Sequence, residues 1–198
     1  MLRILLLIAV VLQGLQLSAQ NDSLLLLFDQ RRIEDQQKGM LVLGTWSVGN
    51  ISTALVQQGN STGEDRYFYQ MNALWNSVNL GIASMGYLSA LREEASTDPM
   101  GVLKKQLKLE KSLLFNTGLD VAYMATGGFL LERARNTAPG KSHDQLRGYG
   151  RSIVLQGAFL LLFDSSFYFI ESKSSGELQQ YLQFFYASPS GIGFKKSF

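Results

Sequence analysis

Carboxyl side chains inside long apolar stretches are the residues of this sequence best suited to do chemistry. The stretch from Ser112 to Leu131 carries one charged residue, Asp120, and residues 152–170 carry only Asp164. An intramembrane carboxyl is costly and often marks an ion pathway. The pair is therefore a candidate proton or cation site.

Amide side chains recur in the apolar stretches at spacings of three and four residues, which place them on one side of a helix. The predicted polar intramembrane cluster comprises Asn50, Asn72, Asn76, Asn79, Asn116, Asp120, Tyr123, Gln156 and Asp164. Trp46, Thr53 and Gln57 extend the stripe of Asn50. Because polar groups are costly in lipid, we expect the stripes to face one another.

Two interpretations of this polar cluster stay open. In the first, the amides and carboxyls hydrogen-bond between helices and fix their register, each bond contributing about 0.6 kcal/mol on average. In the second, Asp120 and Asp164 carry protons or cations. The first is favoured because amide stripes are sufficient for helix association. Close approach of the helices is expected at Gly44, Gly49, Gly81, Gly118, Gly127 and Gly157.

Composition excludes several kinds of site. The chain has no cysteine and one histidine, His143, so thiolate chemistry and paired-histidine metal sites are not expected. No phosphate-loop or nucleophile-elbow motif occurs. Glu93 and Glu94 are interpreted as a solvated helix end. We therefore predict no catalytic constellation, no metal and no cofactor, and the formal net charge of +2 gives no argument for nucleic acid.

The elements that must position the polar cluster are long helices. Residues 39–63 and 67–91 carry no charge, and each of the four apolar stretches reaches the ~20 residues that span a bilayer. The predicted fold is all-α, a four-helix transmembrane bundle with long helices. Asp98-Pro99 predicts a cap and a helix that runs to about Asn136. Ser142 to Gln145 matches a capping box. Gly59, Gly140 and Gly176 are predicted helix ends.

The first twenty residues match a secretory signal peptide, with Arg3, an apolar run and small residues before a cleavage site near Ala19. An uncleaved anchor is the alternative. The predicted organisation is a signal peptide over residues 1–20, a four-helix membrane bundle over 21–176 and an aromatic C-terminal tail over 177–198.

Two segments carry a family resemblance, residues 31–50 (RRIEDQQKGMLVLGTWSVGN) and residues 69–81 (YQMNALWNSVNLG). They resemble an uncharacterised family of small helical membrane proteins found in Bacteroidetes-type bacteria. The resemblance implies a bacterial cell envelope location. It implies no activity and transfers no functional residue.

The sequence therefore predicts a non-enzymatic envelope membrane protein, exported through its signal peptide, that acts as a scaffold or binds a partner or lipid. Expected partners are membrane lipid, and another envelope protein or a second copy of the chain. The alternative is a small transporter or ion- or proton-coupling protein that uses Asp120 and Asp164. A third hypothesis is a soluble exported bundle, since the apolar stretches are more polar than ideal spans.

Overall fold

Four helices make up the backbone of residues 2–185 in the computed structural model, which describes the backbone of those residues and the side chains of residues 22–183. They are α1 (Leu2–Gln58), α2 (Gly63–Leu91), α3 (Pro99–Arg135) and α4 (Lys141–Phe185). No strand occurs within this range. The predicted all-α class and the number of helices are confirmed.

The start of α3 follows from its capping residue. The Asp98 carboxylate accepts hydrogen bonds from the backbone N–H groups of Met100, at 3.3 Å, and Gly101, at 2.9 Å, and Pro99 is the first helical residue. This prediction is confirmed. The capping box predicted at Ser142 is wrong, because α4 begins at Lys141. Gly140 precedes it with a φ of +147°, a conformation that glycine adopts without strain.

The predicted helix end at Gly176 is also wrong, because α4 continues to Phe185. Leu178, 1% exposed, packs against Leu25 and Val102, and this burial holds the last turns in place despite the glycine. Residues 177–185 of the predicted aromatic tail are therefore helical, and residues 186–198 lie outside the described part.

At the N-terminal end, α1 is one continuous helix from Leu2. The side chains of residues 1–21, which include the predicted signal peptide, lie outside the described ones. Cleavage near residue 20 stays a prediction. From Leu25 onwards, α1 is packed into the bundle.

Neighbouring helices pack in two antiparallel pairs, α1 with α2 and α3 with α4, and α4 also packs in parallel against α2. Within the described residues, the Cα atoms of α2 and α3 never approach within 8 Å, although these helices follow each other in the chain. This leaves a gap between α2 and α3 that α4 closes from one side.

Glycines bring α3 and α4 together. A Cβ added to Gly127 would lie 2.8 Å from the Gly150 carbonyl oxygen, and one added to Gly157 would lie 3.2 Å from the Asp120 carbonyl oxygen. Close approach at Gly127 and Gly157 is confirmed. It is wrong for Gly49, Gly81 and Gly118, which have no neighbouring atom within 4 Å because they face outwards. At Gly44 the nearest atom is the Ala83 Cβ, at the ordinary contact distance of 3.7 Å.

The distribution of polar and apolar side chains is unusual for a helical bundle in water. Buried polar side chains, among them Asn76, Asp120 and Gln156, are as numerous as the buried hydrophobic ones. Large apolar side chains are exposed on all four helices, for example Leu41, Val48, Leu55, Leu74, Val78, Met85, Phe115, Val121, Phe129, Leu162 and Phe169. By length and composition alone, α1 (from Asp22) and α4 could each cross a membrane. The mean hydropathy of their most apolar segments is 1.3 and 1.7.

Candidate functional site

An amide network joins α1, α2 and α4. Trp46 Nε1 donates to Gln156 Oε1 at 3.0 Å, and Gln156 Nε2 donates to Asn72 Oδ1 at 2.8 Å and to Asn50 Oδ1 at 3.4 Å. The Ser152 hydroxyl also donates to Asn72 Oδ1, at 2.8 Å. The Trp46 ring stacks on Phe159, with the ring centroids 3.9 Å apart. Every polar side chain in this network finds a partner, which suits a structural role in fixing register.

Two residues of the predicted α1 stripe lie elsewhere. Thr53 and Gln57 are exposed, so the expectation that they face the other helices is wrong. The buried residues at this level are Ser47 and Ala54, seven positions apart. Thr53 directly precedes Ala54 and so lies about 100° away from it around the helix, and Gln57 lies in the last turn of α1.

A cavity of about 830 Å³ occupies the gap between α2 and α3, and we refer to it as the α2–α3 cleft. Its walls are mostly apolar and include Met40, Leu43, Leu74, Trp75, Val78, Ile82, Leu113, Leu119, Leu160, Phe163 and Phe167. The polar lining includes Asn79, Asn116, Asp120, Tyr123 and Asp164. Leu74, Val78, Ile82 and Leu119 are also exposed, so the cleft opens at the outer surface between the two helices.

A carboxyl pair lies at the inner wall of the cleft. Asp120 on α3 is 2% exposed, Asp164 on α4 is 6% exposed, and the two carboxyl side chains are neighbours. Two like charges placed together away from water are costly, so the pair favours a single shared proton. Asp120 Oδ2 is buried and has no hydrogen-bond partner.

Asn79 on α2 is the second polar group of the cleft with an unmet hydrogen-bonding atom. Its side chain is 6% exposed, and its Nδ2 is buried without a partner. Asn116 and Tyr123 are half-buried at the same cavity. The Tyr123 ring meets Trp75 edge to face, with centroids 4.9 Å apart, and so connects α3 to α2 across the cleft.

The predicted polar cluster is thus divided into two groups. Asn50, Asn72 and Gln156 belong to the amide network, and Asn76 adjoins it, since its Nδ2 donates to the Asn72 carbonyl oxygen at 2.9 Å. The other five residues line the α2–α3 cleft: Asn79, Asn116, Asp120, Tyr123 and Asp164. The prediction had treated these nine residues as a single cluster.

An ion-pair cluster at one end of the bundle was not predicted. The Arg32 guanidinium contacts Asp29 Oδ1 at 2.7 Å and Glu93 Oε1 at 2.6 Å, and Lys105 Nζ lies 2.9 Å from Glu93 Oε1. The Asp29 carboxylate also accepts from the Ser96 N–H at 3.0 Å. Glu93 is therefore not the solvated helix end that was expected. Sequence alone gave no signal for it, since the partners are distant in the chain.

These contacts shift the acidity of the residues that make them. Burial alone would raise the pKa of Glu93, but hydrogen bonds from Arg32 and Lys105 outweigh it and leave the pKa below its usual value. The hydrogen bond to Glu93 raises the pKa of Lys105. Glu93 and Lys105 are thus charged at neutral pH, and the cluster ties α1 to the α2–α3 connection and to α3.

A second buried contact links α3 to α4. Gln106 Nε2 donates to Glu171 Oε2 at 2.7 Å and to the Glu171 carbonyl oxygen at 3.0 Å, and both side chains are buried. Among the described residues, no three His, Cys, Asp or Glu side chains converge as metal ligands would.

Comparison with known proteins identifies a family and no function. The model of a family of unknown function, DUF6992, matches residues 42–165, and the chain belongs to this family. No curated protein matches the chain. No solved structure matches it either. The resemblance to an uncharacterised family is confirmed, while the Bacteroidetes origin and membrane nature that it implied stay predictions.

Proposed function

We propose that the protein is a non-enzymatic, membrane-embedded four-helix bundle that binds a lipid-like molecule in the α2–α3 cleft. The observation that carries the proposal is the cleft itself, an apolar cavity with a few inward polar groups. Small-molecule sites are typically cavities of about 300–1,000 Å³ with this kind of lining. The proposal places the protein in a bacterial cell envelope, on the grounds of the signal-like N-terminal segment and the family resemblance.

Membrane embedding is supported by where the apolar side chains lie. Exposed Leu, Val, Ile, Met and Phe side chains surround the middle of all four helices, while the buried polar side chains include Asn72, Asn76, Asn79, Asp120, Gln156 and Asp164. In water this arrangement would expose a large apolar patch, which monomeric soluble proteins rarely do. In a bilayer, the apolar side chains would face lipid and the buried polar ones would face the bundle interior. The 37 residues of α3 extend about 55 Å, beyond a hydrocarbon core of about 30 Å, so its charged first turns would project into water.

Carbonate extraction tests the embedding. The expressed protein should stay in the membrane pellet after alkaline washing. Release into the soluble fraction would favour the soluble exported bundle instead, and N-terminal sequencing of the same sample would show whether cleavage occurs near residue 20.

Lipid access to the cleft is supported by the exposed residues of its lining. Leu74 and Val78 on α2 and Leu119 on α3 face both the cavity and the outer surface. An apolar chain in the bilayer could therefore enter sideways, between two helices whose Cα atoms stay more than 8 Å apart. The apolar chain would not have to pass through water along this route.

Fluorescence quenching tests binding, because Trp75 lines the cleft. A Trp46→Phe variant leaves Trp75 as the only tryptophan of the chain, which has two. In phospholipid nanodiscs, octadecanol dibrominated in mid-chain should quench it in a saturable way. A Trp75→Phe variant keeps Trp46, a half-buried ring outside the cleft, and should show only weak, linear quenching.

A matched pair of variants links the quenching to the cleft. In the Trp46→Phe background, Val78→Phe places a larger side chain at the opening and should abolish the saturable component. Leu88→Phe makes a similar change at an exposed position of α2 outside the cleft and should leave it intact. Linear quenching throughout, or equal effects of the two variants, would reject binding in the cleft.

The buried carboxyl pair Asp120 and Asp164 supports a second candidate, proton or cation coupling. Two buried carboxyls that share a proton are a common arrangement in proton relays. Liposomes that contain a pH-sensitive dye would measure proton flux under a potassium diffusion potential. Flux through the wild-type protein and its loss in Asp120→Asn/Asp164→Asn would support coupling. Wild-type flux equal to that of empty liposomes would rule proton coupling out.

A further inference from the structure

Two polar atoms in the α2–α3 cleft have no hydrogen-bond partner, namely Asn79 Nδ2 and Asp120 Oδ2. Both residues are more than nine-tenths buried, and both line the cavity. A buried polar atom without a partner destabilises the fold, and a charged one does so more strongly. Native proteins therefore rarely leave one without a protein, water or ligand partner. Two of them in one cavity point to a group that binds there.

The chemistry of the two atoms differs, and it defines the group. Asn79 Nδ2 can only donate. Two neighbouring carboxyls buried away from water favour a single shared proton, because two like charges there are costly. Asp120 Oδ2 has no partner in the protein. Without a proton it can only accept. The two unpartnered atoms of the cleft thus offer a ligand one donor and one acceptor.

Charged head groups do not fit this pair of atoms. A carboxylate or phosphate would meet the negative charge of the carboxyl pair, and no Lys or Arg is among the lining residues. An ammonium group has no acceptor for Asn79 Nδ2. An ether or ester can accept from Asn79, but it has no hydrogen to donate to Asp120. An uncharged group with both a donor and an acceptor satisfies both atoms.

We infer that the ligand of the α2–α3 cleft is an uncharged amphiphile whose head group accepts a hydrogen bond from Asn79 and donates one to Asp120, as a hydroxyl or secondary amide does. The inference rests on the proposed binding function and adds the class of ligand. The apolar chain of the molecule would lie against the aliphatic and aromatic walls. Its head would reach the inner wall of the cleft, where the carboxyl pair lies.

A series of probes with one chain and different heads tests this inference in the Trp46→Phe variant. All the probes carry the same mid-chain dibrominated C18 chain, and each is measured by saturable quenching of Trp75. They are the alcohol, its methyl ether, the alkane, the amine and the fatty acid. The alcohol should bind roughly ten-fold more tightly than the methyl ether, because the ether loses the hydrogen bond to a carboxylate. The ether should in turn bind a few-fold more tightly than the alkane, and the amine and the acid less tightly than the alcohol.

A variant of the donor extends the test. Asn79→Leu has a similar volume and should weaken binding of the alcohol and the ether by similar, few-fold factors while it leaves the alkane unchanged. Asn76→Leu is the matched control, because Asn76 is buried on the same helix and does not line the cavity. It should leave all probes unchanged.

The outcomes separate this inference from the function on which it rests. Equal affinities for the alcohol, ether and alkane, with saturable binding, would overturn the inferred head group and keep the cleft as a lipid site. Tighter binding of the amine or the acid than of the alcohol would also overturn it, in favour of a charged ligand. An absence of saturable quenching by every probe would reject the proposed function as well.

Discussion

Adding a single methyl group should affect the stability of this bundle differently at two adjacent glycines, Gly127 and Gly128. A Cβ on Gly127 would lie 2.8 Å from the Gly150 carbonyl oxygen, 2.9 Å from the Val154 backbone nitrogen and 2.7 Å from its Cγ2, while one on Gly128 would have no neighbour within 4 Å. Two of these contacts are backbone atoms of α4, which cannot rotate away. Alanine at Gly127 therefore forces the two helices apart.

The size of the difference follows from two terms. Replacing glycine by alanine in a helix contributes about 1 kcal/mol at either position. Overpacking at a tight contact costs about 1–3 kcal/mol. The first term cancels in the comparison, so Gly127→Ala should be less stable than Gly128→Ala by about 1–3 kcal/mol. For a chain of this length that corresponds to a Tm lower by roughly 2–12 °C.

Far-UV circular dichroism during heating, in one detergent at one protein concentration, measures the difference. Gly128→Ala should melt at or above the wild-type temperature and Gly127→Ala below that of Gly128→Ala. Because Gly127 and Gly150 share the same contact, Gly127→Ala/Gly150→Ala should cost less than the sum of the single variants. Equal melting temperatures for the two single variants would refute the close packing of α3 on α4.

Three further predictions concern other parts of the bundle. Because the pKa of Glu93 is lowered in the fold, its ion pairs stabilise the fold fully above the unfolded-state pKa of about 4.3. This stabilisation is lost as the pH falls through the lower folded-state pKa. Glu93→Gln should therefore remove this pH dependence of the Tm, while Glu94→Gln should retain it. Gln156→Leu breaks the amide network and should cost about 1–2 kcal/mol, from three bonds of about 0.6 kcal/mol each; an unchanged Tm would show that the network adds nothing. Leu178→Ala should cost about 2–5 kcal/mol if residues after Gly176 belong to the core, against almost nothing for the exposed Gln180→Ala.

The helices were predictable from the sequence because their limits are set locally. Long charge-free stretches, the Asp98 cap and Pro99 each act on their own segment of chain, and α3 begins and ends within one residue of the prediction. The prediction that a helix ends at Gly176 was wrong because the destabilising effect of one glycine is local and weak. Burial of Leu178 against distant residues outweighs the roughly 1 kcal/mol that a glycine costs in a helix.

The contacts between helices were harder to predict, because a polar stripe gives the residues and not their partners. The buried face of α3 repeats every seven residues, at Gln106, Leu113, Asp120, Gly127 and Ala134. That period includes apolar and glycine positions as well as polar ones, so a search for polar stripes finds only part of it. The same limitation placed Thr53 and Gln57 inside and left the Arg32–Glu93 ion pair unseen.

The cleft itself depends on a departure from the order of the chain. Consecutive elements usually pack side by side, which would pair α2 with α3 and bring Asn79 and Asp120 into a closed interface. Instead, α2 packs on α4 through Asn72 and Ser152, and α3 packs on the other side of α4 through its glycines. Asn79 and Asp120 therefore border an open space with one unmet hydrogen-bonding atom each. Had α2 packed on α3, these atoms could have satisfied each other, and the inward polar groups would have been structural only; because the helices are separated, the same residues are available to a ligand.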